Sequence, residues 1–137
     1  MSECVFCKIV AGDLPSARVS EDELTLAFMD ISAVNPGHVL VAVKPHVENI
    51  YGLDARLAAA AFQTARRVAL ALRQAYAPEG VTVYQANGEV AGQTVFHFHL
   101  HLVPRYAGDG MSLIWPGKNQ TREQLDAAAT KLRAALD

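Results

Sequence analysis

His97-Phe98-His99-Leu100-His101-Leu102-Val103 alternates imidazoles with apolar side chains. Successive residues of a strand project to opposite faces. The run therefore predicts a strand over Val95–Val103, closed by Pro104. Three imidazoles share one face, and Phe98, Leu100 and Leu102 share the other. Neighbouring histidines would lie roughly 6–7 Å apart, and the set would span about 13 Å. That span is too long for all three to bind one ion, so at most two can share a metal. Imidazole is the side chain that most readily serves as nucleophile, base or acid near neutral pH. Three readings compete: a solvated strand face, a metal site, and nucleophilic attack on phosphorus assisted by a neighbouring imidazole. A solvated face ordinarily mixes Thr, Lys, Glu and Ser rather than repeating His. The preceding segment offers the donors a phosphate needs in Asn87, Gly88, Gly92, Gln93 and Thr94.

Outward from this run, the pattern predicts an α+β domain spanning 1–137. Val5–Gly12 has near-helical apolar spacing ended by a glycine. Arg18–Glu21 and Leu24–Met29 read as short strands. Asn35-Pro36-Gly37 is a turn, and Val39–Val43 a buried strand. Asp54–Tyr76 reads as the longest helix, N-capped by Asp54, with apolar positions wrapped widely enough to predict extensive burial. Val81–Gln85 is a further strand. Thr121–Leu136 is a second long helix with a capping box from Thr121 and Gln124. Strands grouped around one long helix predict an antiparallel sheet.

The chain has 137 residues, a net charge of −2 and no cluster of Lys and Arg, which argues against a nucleic-acid polymer as partner. No apolar stretch is long enough to span a membrane and no signal peptide is visible, so a cytoplasmic location without membrane association is expected. The only cysteines, Cys4 and Cys7, form a C-x-x-C. In a reducing compartment this leaves metal binding and an idle thiol pair as the open readings.

The residues Gly92 to Arg105 resemble the motif of the histidine-triad (HIT) family, with its usual lead-in. Cys4-Val5-Phe6-Cys7-Lys8-Ile9-Val10 resembles the N-terminal helix of bacterial and Hint-like members. Ala27–Ile31 and Pro36–Val41 resemble the family's nucleotide-pocket strands. The match runs from residue 4 to about 116, with a helical tail over about 117–137. The resemblance implies a five-stranded antiparallel sheet with one long helix and a C-terminal helix, dimerising into a ten-stranded sheet. It also implies binding of purine nucleotides and hydrolysis at the α-phosphate through a nucleotidyl-histidine intermediate, without a catalytic cofactor. His99 matches the nucleophile. His101 matches the residue that contacts the phosphate and assists the leaving group. His97 and His38 match the remaining site histidines. Gln93 and Thr94 match the polar pair at the scissile bond, Asn87 an amide on the phosphate side, and Asp30 the ribose binder. Val5, Phe6, Ile9, Phe28 and Ile31 match the apolar slot for the base.

Some bacterial members are similar in carrying both cysteines and His46. They hold zinc through the two thiolates, that histidine and the first triad histidine. The resemblance thus implies a structural Zn²⁺ on Cys4, Cys7, His46 and His97. Two branches share these marks. The cysteine helix and Asp30 are similar to the phosphoramidase branch. Gly92–Val95, Pro104-Arg105 and Ala107-Gly108-Asp109 are similar to the dinucleoside polyphosphate hydrolases. The expectation is a nucleoside phosphoramidase or general nucleotidyl hydrolase. The alternatives are a diadenosine polyphosphate hydrolase and a nucleotide-binding partner protein with residual hydrolysis.

Overall fold

The computed structural model describes residues 3–112 and 114–136. In chain order the elements are α1 (Val5–Ala11), β1 (Arg18–Glu21), β2 (Thr25–Met29), β3 (Val39–Val43), α2 (Ala55–Tyr76), β4 (Gly80–Tyr84), β5 (His99–Arg105) and α3 (Arg122–Ala135). The strands form one antiparallel sheet in the order β1-β2-β3-β5-β4. Central β3 is buried at every position because both of its faces are covered.

One face carries Ala27, Val39, Val41, Val43, Leu100 and Leu102, packed against Leu57, Ala61, Ala65, Val68 and Leu72 of α2. The other carries Leu26, Phe28, Leu40 and Ala42, packed against Phe6 and Ile9 of α1. Period-two alternation therefore sends Leu100 and Leu102 beneath α2 and leaves His99 and His101 on the α1 face. Asp54 caps α2 as expected, its Oδ1 accepting from Leu57 N at 2.8 Å. The capping box of α3 is also present, with Thr121 and Gln124 reciprocally bonded.

Three expectations are corrected. The histidine strand begins at His99, not Val95, because residues 95–98 leave the ladder. Phe98 N donates to Val47 O at 2.6 Å, and the His97 ring reaches Val43 O at 2.6 Å. His97 is thus off the strand that carries His99 and His101. Pro104 does not end β5. It lies beyond the last pairing with β3, at Leu102, and only β4 flanks it, so its missing N–H costs no bond on the β3 side. Finally, α2 buries a single stripe rather than most of its surface. Phe62 and Leu70 are exposed.

The turn before β3 requires glycine. Gly37 has φ +95°, and a Cβ there would meet Pro104 Cγ at 3.0 Å and the Tyr76 ring at 3.2 Å. This close approach sets the path of the next residue, His38, into the interior.

Candidate active site and metal centre

The α1 face of the sheet opens into a cavity of about 420 Å³. Val5, Phe6 and Ile9 of α1 line it together with Phe28, Leu40 and Val95, and Asp30, Thr94, His99 and His101 supply its polar wall. Phe6 meets Phe28 edge-on at 5.3 Å between centroids and His99 at 4.9 Å, so it forms the corner between the apolar and histidine walls. Ile31 borders the cavity although it is fully exposed. Leu14, Pro15 and Ser16 also line it and carried no motif in the sequence, and Met29 lines it from within the Ala27–Ile31 stretch. Ser16 Oγ is buried without a hydrogen-bond partner among the described residues.

Hydrogen bonds assign the protonation of each histidine, because carbonyls only accept and amides only donate. Burial holds His99 below its ordinary range and therefore neutral. Its Nδ1–H donates to His97 O at 2.6 Å, which leaves Nε2 as a bare lone pair. His38 Nδ1 accepts from Val34 N at 3.1 Å, so its proton sits on Nε2. That Nε2–H donates to His101 Nδ1 at 3.0 Å, so the His101 proton sits on Nε2. Neighbouring imidazoles on one face of β5 are in this way complementary, one a base and one a donor.

Burial, then His99 and His38, push His101 down to about 4, while Asp30 opposes the shift. His38 is lowered by burial, again against Asp30. Asp30 Oδ2 lies 3.4 Å from His38 Nε2 and 4.0 Å from His101 Nδ1. Its Oδ1 accepts from Ser32 N. The carboxylate is therefore the counter-charge for any proton the histidine pair takes up.

Gln93 and Asn87 are not among the residues that line the cavity. Gln93 is buried and ties its own loop together, Oε1 accepting from Gly88 N and Nε2 donating to Glu48 O, both at 2.7 Å. Asn87 Oδ1 accepts from Ile50 N at 2.8 Å, and its amide pairs with Gln85. Both shape the loop that delivers Thr94. A residue with no expected role, Tyr84, stacks face to face on His101.

The second cluster is Cys4, Cys7, His46 and His97, whose ligand atoms all lie within 4.8 Å of one another. Cys4 Sγ is 3.4 Å from His97 Nδ1, and Cys7 Sγ is 3.3 Å from His46 Nδ1 and 3.5 Å from His97 Nδ1. A tetrahedral zinc with ordinary Zn–S and Zn–N lengths has S···N edges of about 3.6 Å. His97 Nε2 donates to Val43 O, so Nδ1 faces the sulfurs as a lone pair. Carbonyl bonding of this kind orients imidazole ligands. Burial, with Cys4 adding to it, raises the Cys7 thiol. A cation among these four groups would reverse that effect by favouring the thiolate. The four residues fit zinc in number, type, spacing and orientation.

A five-stranded antiparallel sheet with alternating histidines beside an apolar cavity is a histidine-triad architecture. The chain belongs to the HIT family, whose HIT domain profile matches residues 11–108. It is 50% identical over 113 residues to the protein hit of Bacillus subtilis, covering 82% of this chain and 78% of that one. It is 33% identical over 134 residues to adenosine 5'-monophosphoramidase of Schizosaccharomyces pombe, covering 97% and 98% of the two chains. Its structure matches the crystal structure of a HIT family member from Bacillus subtilis with a TM-score of 0.94 at 43% identity, covering 98% of each chain. It also matches a Zn-bound histidine triad family protein from Mycobacterium smegmatis with a TM-score of 0.77 at 36% identity, covering 98% and 99%.

Proposed function

We propose that the chain hydrolyses purine nucleoside phosphoramidates, releasing a nucleoside monophosphate such as AMP. One observation carries the reading: the His99 ring, its Nε2 bare, lies 4.9 Å between centroids from the His101 ring, its Nε2 protonated, in the wall of an apolar cavity. The base occupies the slot of Val5, Phe6, Ile9, Phe28 and Ile31, and the ribose hydroxyls reach Asp30. His99 Nε2 attacks the α-phosphorus, and the P–N bond to the amine breaks as the N–P bond forms. The His38–His101 pair takes up one proton from solvent as the substrate binds and gives that proton to the departing nitrogen. The Asp30 carboxylate and the phosphate itself stabilise the pair while it holds that extra proton. Water then attacks phosphorus, returns a proton to the pair and frees His99. Thr94 donates to the phosphoryl oxygens.

Charge favours an amine over a polyphosphate leaving group. The cavity lining contains no Lys or Arg among the described residues. Arg105 is committed to Asp109, Thr82 and Met111 O. Extra phosphates would find no free cation there. The phosphoramidase relative points the same way. Cys4, Cys7, His46 and His97 would hold a structural zinc, which supplies a cross-link between α1 and the segment before β5. The free edge of β4 suits pairing with a second copy, giving a ten-stranded sheet.

The test is AMP release from adenosine 5'-phosphoramidate and from diadenosine tri- and tetraphosphate, with native chain and His99→Ala. Fast phosphoramidate turnover that falls by several orders of magnitude in the variant is expected for a covalent nucleophile. Preference for the polyphosphates would favour that branch. Binding of AMP without turnover of any substrate would leave a nucleotide-binding role.

A further inference from the structure

Tyr84 is the last residue of the edge strand β4 and pairs directly across the ladder with His101. Their rings lie 4.2 Å apart between centroids and 4° from parallel. The phenol does not line the cavity, and its hydroxyl has no hydrogen bond to the described residues. Its contact with the site is the His101 ring.

We propose that Tyr84 is a positioning residue for His101, clamping the imidazole plane so that Nε2 faces the scissile bond and favouring its protonated form through the ring face. The inference rests on the hydrolytic reading above, in which His101 passes a proton to the leaving group. The imidazole χ2 torsion is broad and two-fold, so nothing intrinsic to histidine sets the ring plane. His38 fixes one ring corner through Nδ1. A single bond at one corner still permits rocking about it, and a flat partner on the ring face removes that freedom.

The groups facing His101 come from every neighbouring element. They are Asp30 after β2, His38 ahead of β3, His99 on β5 and Tyr84 on β4. Burial and the Asp30 charge hold the Tyr84 phenol above its usual range, so it faces His101 as a neutral π surface. An aromatic face attracts a cation placed over it. Of these four, Asp30 and Tyr84 favour a charged His101, whereas His38 and His99 disfavour it. Tyr84 does so without occupying the space of a substrate.

The experiment compares native chain, Tyr84→Phe, Tyr84→Leu and a second ringless variant, Tyr84→Met. The substrates are an adenosine phosphoramidate with an alkylamine leaving group and adenosine 5'-(p-nitrophenyl phosphate), whose phenolate departs without a proton. Tyr84→Phe keeps the ring and should stay within about twofold of native. The ringless variants should lose about tenfold in kcat on the alkylamine substrate, as misplaced catalytic groups do, with KM nearly unchanged. On the p-nitrophenyl ester they should lose little. The His101 titration, followed by NMR, should fall by about half a pH unit in the ringless variants and return in Tyr84→Phe. Equal losses on both substrates, a Tyr84→Phe defect matching Tyr84→Leu, or an unmoved His101 titration would each overturn the proposal. If the native chain turns over neither substrate, the hydrolytic reading falls. The NMR titration then decides alone whether Tyr84 acts on His101.

Discussion

Phe6→Ala should detach α1 from the rest of the protein without unfolding the sheet. The helix has 7 residues and buries two of them, Phe6 and Ile9. A helix this short is not stable alone in water. Its existence therefore depends on docking, and burial of two large apolar side chains supplies roughly 3–6 kcal/mol. Opening against that energy slows amide exchange in α1 by a factor of about 10² to 10⁴. Replacing a buried Phe by Ala costs about 3–5 kcal/mol, which is nearly the whole docking energy. Here it also removes the edge-on contacts with Phe28 and His99. Hydrogen exchange should show α1 amides close to unprotected in metal-free Phe6→Ala, with β3 and β5 unchanged. A zinc held by all four residues would require α1 docked, so adding it should restore α1 protection by mass action. In the native chain a chelator should lower protection in α1 alone. The reasoning fails if β3 and β5 lose protection in parallel with α1, or if zinc leaves α1 exchange unchanged.

Asp30→Asn removes the charge that opposes the lowering of His101 and His38. The protonated pair exists below its titration point and is lost as pH rises through it. Without Asp30 that point moves down. The alkaline limb of kcat for amine leaving groups should shift to lower pH, read from a pH–rate profile. The Asp109 carboxyl is held far below the usual range by Arg105, then by the Tyr106 and Met111 amides and by Asn35. A depressed carboxyl contributes stability above its unfolded value, near pH 3.9, and loses it as pH falls through the folded value. Asp109→Asn should lower the urea midpoint at neutral pH, and the deficit should shrink below about pH 4. Ser16→Ala deletes a buried hydroxyl that has no partner among the described residues. It should stabilise by about 1 kcal/mol and raise Tm by about 3 °C in a thermal melt.

Local rules located most elements. Val39–Val43 and the caps of α2 and α3 stand where apolar runs and capping residues put them. The departures have a common cause in long-range contacts. Nothing local announces that residues 95–98 leave the ladder, since the pull comes from Val43 O and Val47 O on another strand and its loop. The wide apolar spread of α2 suggested burial on most sides, but one sheet covers only one stripe. The histidine row was legible from its spacing, whereas Asp30 and the cysteines were picked out by the family resemblance, since each alone has an ordinary structural role. Gln93 and Asn87 were legible as polar but not as loop ties, because an amide serves a loop or a phosphate with the same groups. Tyr84 was invisible, since a tyrosine in an alternating strand is ordinary until pairing register sets it across from His101.

The distinction among His97, His99 and His101 comes from backbone acceptors more than from the side chains themselves. His97 gives its Nε2 proton to Val43 O, so its Nδ1 lone pair is free for a metal. His99 gives its Nδ1 proton to His97 O, so its Nε2 lone pair is free for phosphorus. His101 accepts at Nδ1 a hydrogen bond from His38 Nε2–H, so its own proton sits on Nε2. In the proposed reaction three chemically identical groups thus serve as a ligand, a nucleophile and a donor through the choice of which nitrogen is occupied. The second bond also links the two centres, because the residue whose ring meets the cysteines is the residue whose carbonyl orients His99. Movement of His97 would displace that carbonyl and loosen the nitrogen that the proposed mechanism aims at phosphorus. A zinc held by the tetrad would therefore support the reaction by fixing His97, with no contact to the substrate required.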